Sequence, residues 1–186
     1  MNTFSDPRKI IEQLPIFSGQ KIADFGAGNG AYTFELAKKT QKGSNQGAVY
    51  AIDVVQNMVE QIAAEARTQN LNTVHAIWSD LESEKGSKLR DSSIQAVVIA
   101  NTLFQAEHPA RLIKEARRIL TDHGILIVID WRESFGNIGP KEGHIITEDA
   151  ARLMVEEHGF TIDKSLTAGE HHYGFVANIN PTNPLA

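Results

Sequence analysis

Apolar side chains along this chain recur in two rhythms that take turns. Short, nearly unbroken apolar runs at Lys21–Phe25, Ala48–Asp53, Val74–Trp78, Ile94–Ala100 and residues 125–129 predict strands covered on both faces. Between them the apolar positions return at helical spacing. Ala31 to about Lys39 forms one such stretch, and Val55, Met58, Val59, Ile62, Ala63 and Ala66 form another. Pro109 opens a third, carrying Leu112, Ile113, Ala116, Ile119 and Leu120, with Gly124 expected to close it. Thr147 caps a fourth that runs through Leu153, Met154 and Val155, with Gly159 past its end. Asp6-Pro7 starts a short helix whose apolar face is Ile10, Ile11 and Leu14. Two final strands, near residues 160–166 and 173–179, lie close enough to pair as a hairpin through Thr167-Ala168-Gly169-Glu170.

Strand and helix in alternation predict an α/β fold: a doubly wound, Rossmann-like parallel sheet with helices on both faces, to which the hairpin adds one antiparallel strand. With 186 residues and no internal repeat, one domain is expected over 1–186, its ordered core over about 5–180 and a loose tail over 181–186.

Composition then narrows the partners. A net charge of −5 argues against a surface built for a polyanion, so no nucleic-acid partner is expected. The one basic stretch, residues 111–118, reads as a solvated helix face. Cysteine is absent, which removes disulfides and thiolate metal sites. Residues 1–7 show neither a basic n-region nor an apolar h-region, and no apolar run approaches the roughly 20 residues of a membrane span. A cytoplasmic address with no membrane attachment is expected.

The candidate chemistry begins at Asp24-Phe25-Gly26-Ala27-Gly28-Asn29-Gly30, where the first strand turns into the first long helix. Glycines at alternate positions reach positive φ and leave no Cβ between main chain and ligand. A dinucleotide fingerprint also uses glycines here, but places pyrophosphate against the loop. The acid two residues before Gly26 opposes a pyrophosphate and suits an ammonium or sulfonium group. Further short polar residues, Asp53, Asp80, Asn101 and Asp130, follow the next strands on the edge where open α/β sheets bind ligands. Each alone reads equally as a turn or cap residue. Together they describe a site for an adenosine with a charged, non-phosphate tail: Asp53 for both ribose hydroxyls, Asp80 for the purine amine, and Leu81 against the ring. Met58 reads first as core and second as a cover for the ribose or base. No P-loop is present.

Taken in order, these segments resemble the class I S-adenosylmethionine-dependent methyltransferases, in particular the small ubiquinone/menaquinone-biosynthesis-like (type 11) group, over residues 5–180. The resemblance implies a seven-stranded sheet with its last strand antiparallel and S-adenosyl-L-methionine as cofactor. It assigns the loop residues Asp24, Phe25, Gly26, Ala27, Gly28 and Gly30 to the methionine moiety. Asp53 and Val54, with Met58, fall to the ribose, Asp80 and Leu81 to the adenine, and Asn101 to the floor near the donor methyl. Asn101-Thr102-Leu103-Phe104 departs from the Asn-Pro-Pro-aromatic motif of enzymes that methylate planar amino groups, so that acceptor class is disfavoured. No metal is expected. Methyl transfer from a sulfonium is an in-line displacement in which alignment supplies much of the rate, and a base is required only where the acceptor must lose a proton. The candidates for that task are His108, His144 and Asp130, with Trp131 and Glu133 nearby; His171-His172 reads as surface. The expected acceptor is a small molecule. The rival readings are a nicotinamide-dependent oxidoreductase and a cofactor-binding module without catalysis.

Overall fold

Residues 5–41, 47–135 and 139–180 are described by a computed structural model of the chain. The strands are β1 (Lys21–Phe25), β2 (Ala48–Asp53), β3 (Val74–Trp78), β4 (Ile94–Ala100), β5 (Leu120–Trp131), β6 (Phe160–Ser165) and β7 (His172–Ile179). They form one seven-stranded sheet in the order β3-β2-β1-β4-β5-β7-β6. All neighbouring pairs from β3 to β5 are parallel, while β7 runs antiparallel to both β5 and β6. Strand order reverses between β1 and β4, and there the crevice beyond the strand ends opens.

The helices are α1 (Pro7–Glu12), α2 (Ala31–Thr40), α3 (Gln56–Thr68), α4 (Pro109–Ile119) and α5 (Glu148–Glu157). Their ends follow from local chemistry. The Asp6 carboxylate accepts from the amides of Arg8 and Lys9 at 3.1 and 3.4 Å, and Thr147 Oγ1 accepts from Ala150 N at 3.3 Å. Gly159 takes φ +82° just past α5, a conformation that stops the helix. Strand alternation sends residues to two cores. Phe25, Val97, Ile99, Val128 and Phe175 pack with Leu112, Ile113 and Val155 of α4 and α5. Ile22, Val98, Ile127 and Val176 pack on the other face with Ile10 of α1, Leu14 just past it and Leu36 of α2. Each such side chain, taken fully out of water, contributes roughly 1.5–3 kcal/mol.

Two expectations are corrected. Gly124 does not close α4: the helix ends at Ile119, and Leu120 is already extended and paired with Ile94. Burying Leu120 completely against β4 outweighs one more helical turn. His171 and His172 are not surface residues, at 6% and 3% exposure. His172 pairs with Trp131 of β5 and its ring lies 4.2 Å from the Trp131 ring, while His171 stacks on Phe135 at 4.1 Å. The proposed tail 181–186 and residues 136–138 of the glycine-rich loop lie outside the described residues.

Candidate active site

Beyond the β1–β4 crevice lies a cavity of about 290 Å³. Of the predicted residues it takes Gly26, Gly28, Asp53, Val54, Met58, Asp80 and Leu81. The glycine loop is pinned to the end of β2. Asp53 Oδ2 accepts from Gly28 N at 2.8 Å, and its Oδ1 accepts from Val55 N at 2.8 Å. Each carboxylate oxygen retains a second lone pair for a ligand hydroxyl. Asp80 is exposed at the opposite wall and organises its own turn, accepting from Glu82 N at 2.9 Å and Ser83 Oγ at 3.0 Å.

The glycines divide their work. Gly26 sits at φ +69°, and a Cβ there would overlap Thr102, whose hydroxyl donates to Phe25 O at 3.1 Å. Gly28, at φ +53°, faces open space, with nothing within 4 Å of where its Cβ would lie. Gly30 caps α2 at φ +81° against the ring of Phe34, 2.7 Å from an added Cβ. Gly26 and Gly30 are therefore required by packing, and Gly28 presents bare backbone to the cavity.

Five predicted cofactor residues do not line the cavity. Phe25 and Ala27 are core side chains and Gly30 faces Phe34. Asn101 adopts φ +54° at the end of β4, its Oδ1 buried without a hydrogen-bond partner among the described residues. Asp24 is 2% exposed and points to the α2 side, where Thr33 Oγ1 donates to its Oδ2 at 2.5 Å. Burial pushes its carboxyl up to about 6, with the Asp53 charge adding to the rise and Thr33 opposing it. Its direct role is to tie the end of β1 to the first turn of α2.

The catalytic candidates are dispersed. Asp130, 1% exposed, spends its carboxylate on three amides: Trp131 N at 2.7 Å, Leu103 N at 3.0 Å and Phe104 N at 3.4 Å. Burial pushes it up to about 6 against those bonds. His108 is exposed, precedes α4 and borders neither this cavity nor its neighbour. His144 borders a second cavity of about 310 Å³ with Leu103, Phe104 and Ile146. Gln105 and Ala106 line both cavities, so a single 3₁₀ turn, Leu103–Gln105, forms the wall between them. Trp131 is packed between Gly139, 2.8 Å from ring to an added Cβ, and the His172 ring at 4.2 Å. Glu133 Oε1 lies 2.8 Å from His171 Nδ1.

Sequence reasoning missed Ser79, Glu82, Thr102 and Gln105, which also line the first cavity. Only the position of Ser79 and Glu82 beside Asp80 signalled them. In the basic stretch, Arg118 is paired with Glu115 and Asp91, and Arg111 Nη1 reaches Glu82 O at 3.4 Å. Among the described residues no helix is long and apolar enough to cross a membrane.

The family model of a methyltransferase domain matches residues 16–168. The chain belongs to this methyltransferase family. The methyltransferase is 25% identical to an S-adenosylmethionine-dependent methyltransferase from Aquifex aeolicus, covering 95% of this chain and 91% of that one at TM-score 0.84. It is also 25% identical to a putative type 11 methyltransferase from Sulfolobus solfataricus, covering 95% of each chain at TM-score 0.72. Over 76 residues, 41% of this chain and 33% of the other, it is 29% identical to aklanonic acid methyltransferase DauC of Streptomyces sp. (strain C5). The chain spans about a third of the length of the curated relatives it matches. The cofactor of this methyltransferase is S-adenosylmethionine. The residues present fit it: Asp53, Asp80 and Glu82 put three carboxylates around the cavity, no Lys or Arg among the described residues lines it, and Gly28 offers open backbone.

Proposed function

We propose that this domain moves a methyl group from S-adenosylmethionine to a small-molecule acceptor by in-line displacement. One observation carries the reading. Among the described residues the walls of the first cavity hold three carboxylates and no cationic side chain, a field that repels a pyrophosphate and accommodates a cationic tail. That supports methyl-donor chemistry over nicotinamide chemistry.

When bound, S-adenosylmethionine supplies an electrophilic methyl on a sulfonium. In this reading the free lone pairs of Asp53 accept the ribose hydroxyls, and Asp80 accepts the adenine amine with Leu81 against the ring. Met58 and Val54 cover the ribose side. The backbone at Gly26 and Gly28 lies against the methionine moiety, while Asp24, Phe25, Ala27 and Gly30 shape the loop without touching the ligand. The unpaired Asn101 Oδ1 belongs to the floor near the reacting centre. On the far side of the wall, His144 is the base for an acceptor that must lose a proton, the proton passing to its imidazole. Asp130 serves by holding Leu103 and Phe104 in place, and His108 has no part in the reaction. The net charge of −5 favours a small acceptor over a polyanion.

Calorimetric titration with S-adenosylhomocysteine and, separately, NADH tests the assignment. Binding of S-adenosylhomocysteine alone is expected. NADH binding with no S-adenosylhomocysteine heat at millimolar ligand refutes it.

A further inference from the structure

The wall between the two cavities is held by two carboxylates from different parts of the chain. Its first half, Leu103 and Phe104, donates both amides to Asp130 Oδ2. The segment that carries the wall on to α4 donates to Glu82: Glu107 N reaches Oε1 at 3.0 Å, and His108 N reaches Oε2 at 2.6 Å. These are the charge-assisted bonds that bind a backbone segment most firmly. Between the two anchors, Gln105 Nε2 donates back to Asn101 O at 2.7 Å.

The anchors differ in what holds them. Asp130 belongs to β5 and is 1% exposed, so its position is fixed by the sheet. Glu82 is half-buried on the turn that follows β3 and itself lines the first cavity. Its backbone is set by the neighbouring acid, Glu82 N donating to Asp80 Oδ1 at 2.9 Å. A ligand group on Asp80 and Leu81 therefore bears on the same four-residue turn that aims Glu82 at the wall. One end of the wall is permanently fastened; the other is fastened by a turn that the cofactor touches.

We propose that Glu82 is a positioning residue that transmits occupancy of the cofactor cavity to the wall facing the acceptor, so that the acceptor side is fully formed only once the cofactor is in place. The inference rests on the S-adenosylmethionine reading of the first cavity. A ligand shifts such an equilibrium only as far as it favours one state, so the transmitted signal is bounded by its hold on the Asp80 turn.

Hydrogen exchange followed by mass spectrometry, with and without saturating S-adenosylhomocysteine, reads the wall directly. In the unmodified protein the ligand is expected to slow exchange at Glu107 and His108 by roughly tenfold, while Leu103 and Phe104 change little. Glu82→Gln keeps the side chain's length but offers one carbonyl oxygen where two carboxylate oxygens served. Because Glu82 also lines the cofactor cavity, this variant is expected to bind S-adenosylhomocysteine about tenfold more weakly and, at ligand concentrations that saturate it, to lose most of the protection at 107–108. Asp130→Asn is expected to speed exchange at 103–104 with or without ligand. Ligand binding without protection at 107–108 in the parent overturns the inference and leaves the cofactor reading standing. Equal protection in Glu82→Gln overturns it too. Absence of S-adenosylhomocysteine binding in the parent overturns both.

Discussion

Replacing Asp24 with Asn removes a charge that the folded chain holds away from water. Asp24 is 2% exposed, and burial lifts its carboxyl from 3.8 to about 6 even with the Thr33 hydroxyl favouring the ionised form. A rise of that size corresponds to roughly 3 kcal/mol. The sign follows from linkage: the folded state binds the proton more tightly than the unfolded chain. The group's contribution is therefore most favourable below 3.8 and is lost as pH rises through about 6. The substituted amide carries no such penalty at pH 8, and the Thr33 bond to the ionised form is already counted in the net rise. The net expectation is a ligand-free Asp24→Asn protein about 3 kcal/mol more stable at pH 8, or roughly 6–12 °C in Tm. The gap should close near pH 4, where the parent carboxyl is protonated. Asp130 has the same sign of shift in both proteins, so comparing the two isolates Asp24. Urea denaturation of the two proteins across that range is the assay. A ligand-free Asp24→Asn protein less stable than the parent at pH 8 would refute the reasoning.

Other expectations are equally direct. Asp53→Ala strips two amides of their acceptor and the proposed ribose of its partner; S-adenosylhomocysteine affinity should fall on the order of 100-fold by calorimetry, and an unchanged Kd would remove Asp53 from the site. The loop glycines should separate fold from binding. Gly26→Ala forces an overlap with Thr102 and should cost about 2–4 kcal/mol of stability, partly restored by adding Thr102→Ala. Gly28→Ala should cost only about 1 kcal/mol of stability while weakening the ligand; the reverse ranking would contradict the division of roles. His172→Leu removes two buried ring nitrogens that find no hydrogen-bond partner among the described residues, for a gain of about 1–3 kcal/mol at pH 7 in urea melts. Burial holds the His172 imidazole down at about 4, so the parent loses that residue's favourable neutral state as pH falls from 6.5 through 4, and the advantage of Leu should widen there. A His172→Leu protein weaker than the parent at pH 7 would count against it.

Much of this was legible in the chain because local and global signals agreed. The alternation of apolar runs with helical spacing fixes strand direction, and acids at the ends of β2 and β3 necessarily meet on one edge. Asp24 shows the limit of that logic. Its neighbour Phe25 enters the α4–α5 core, so strand parity sends Asp24 to the α2 layer and off the lining of the first cavity. Thr33 at the start of α2 was the available signal. Glu82 was opaque for another reason: in sequence it is one more acid in a polar turn, and the amides it accepts lie 25 and 26 residues on. The two histidines misled because a strand start looks exposed until the rings that cover it, Trp131 and Phe135, are known. Gly124 misled because a glycine near a helix end was read without the pairing of Leu120 to Ile94.

Because β7 runs against its neighbours, the last strand of the chain starts, and does not finish, at the edge where the cavities open. Residues between 26 and 82 supply most of the first cavity, with Thr102, Gln105, Ala106 and Leu112 completing it, whereas the neighbouring cavity is built from residues 103–106 with Gly143, His144 and Ile146. On the proposed reading the fold thus separates inheritance of the donor grip from inheritance of substrate choice. A lineage could then rewrite Gly143, His144 and Ile146 and take up a different acceptor while the machinery proposed to handle the methyl donor is left alone.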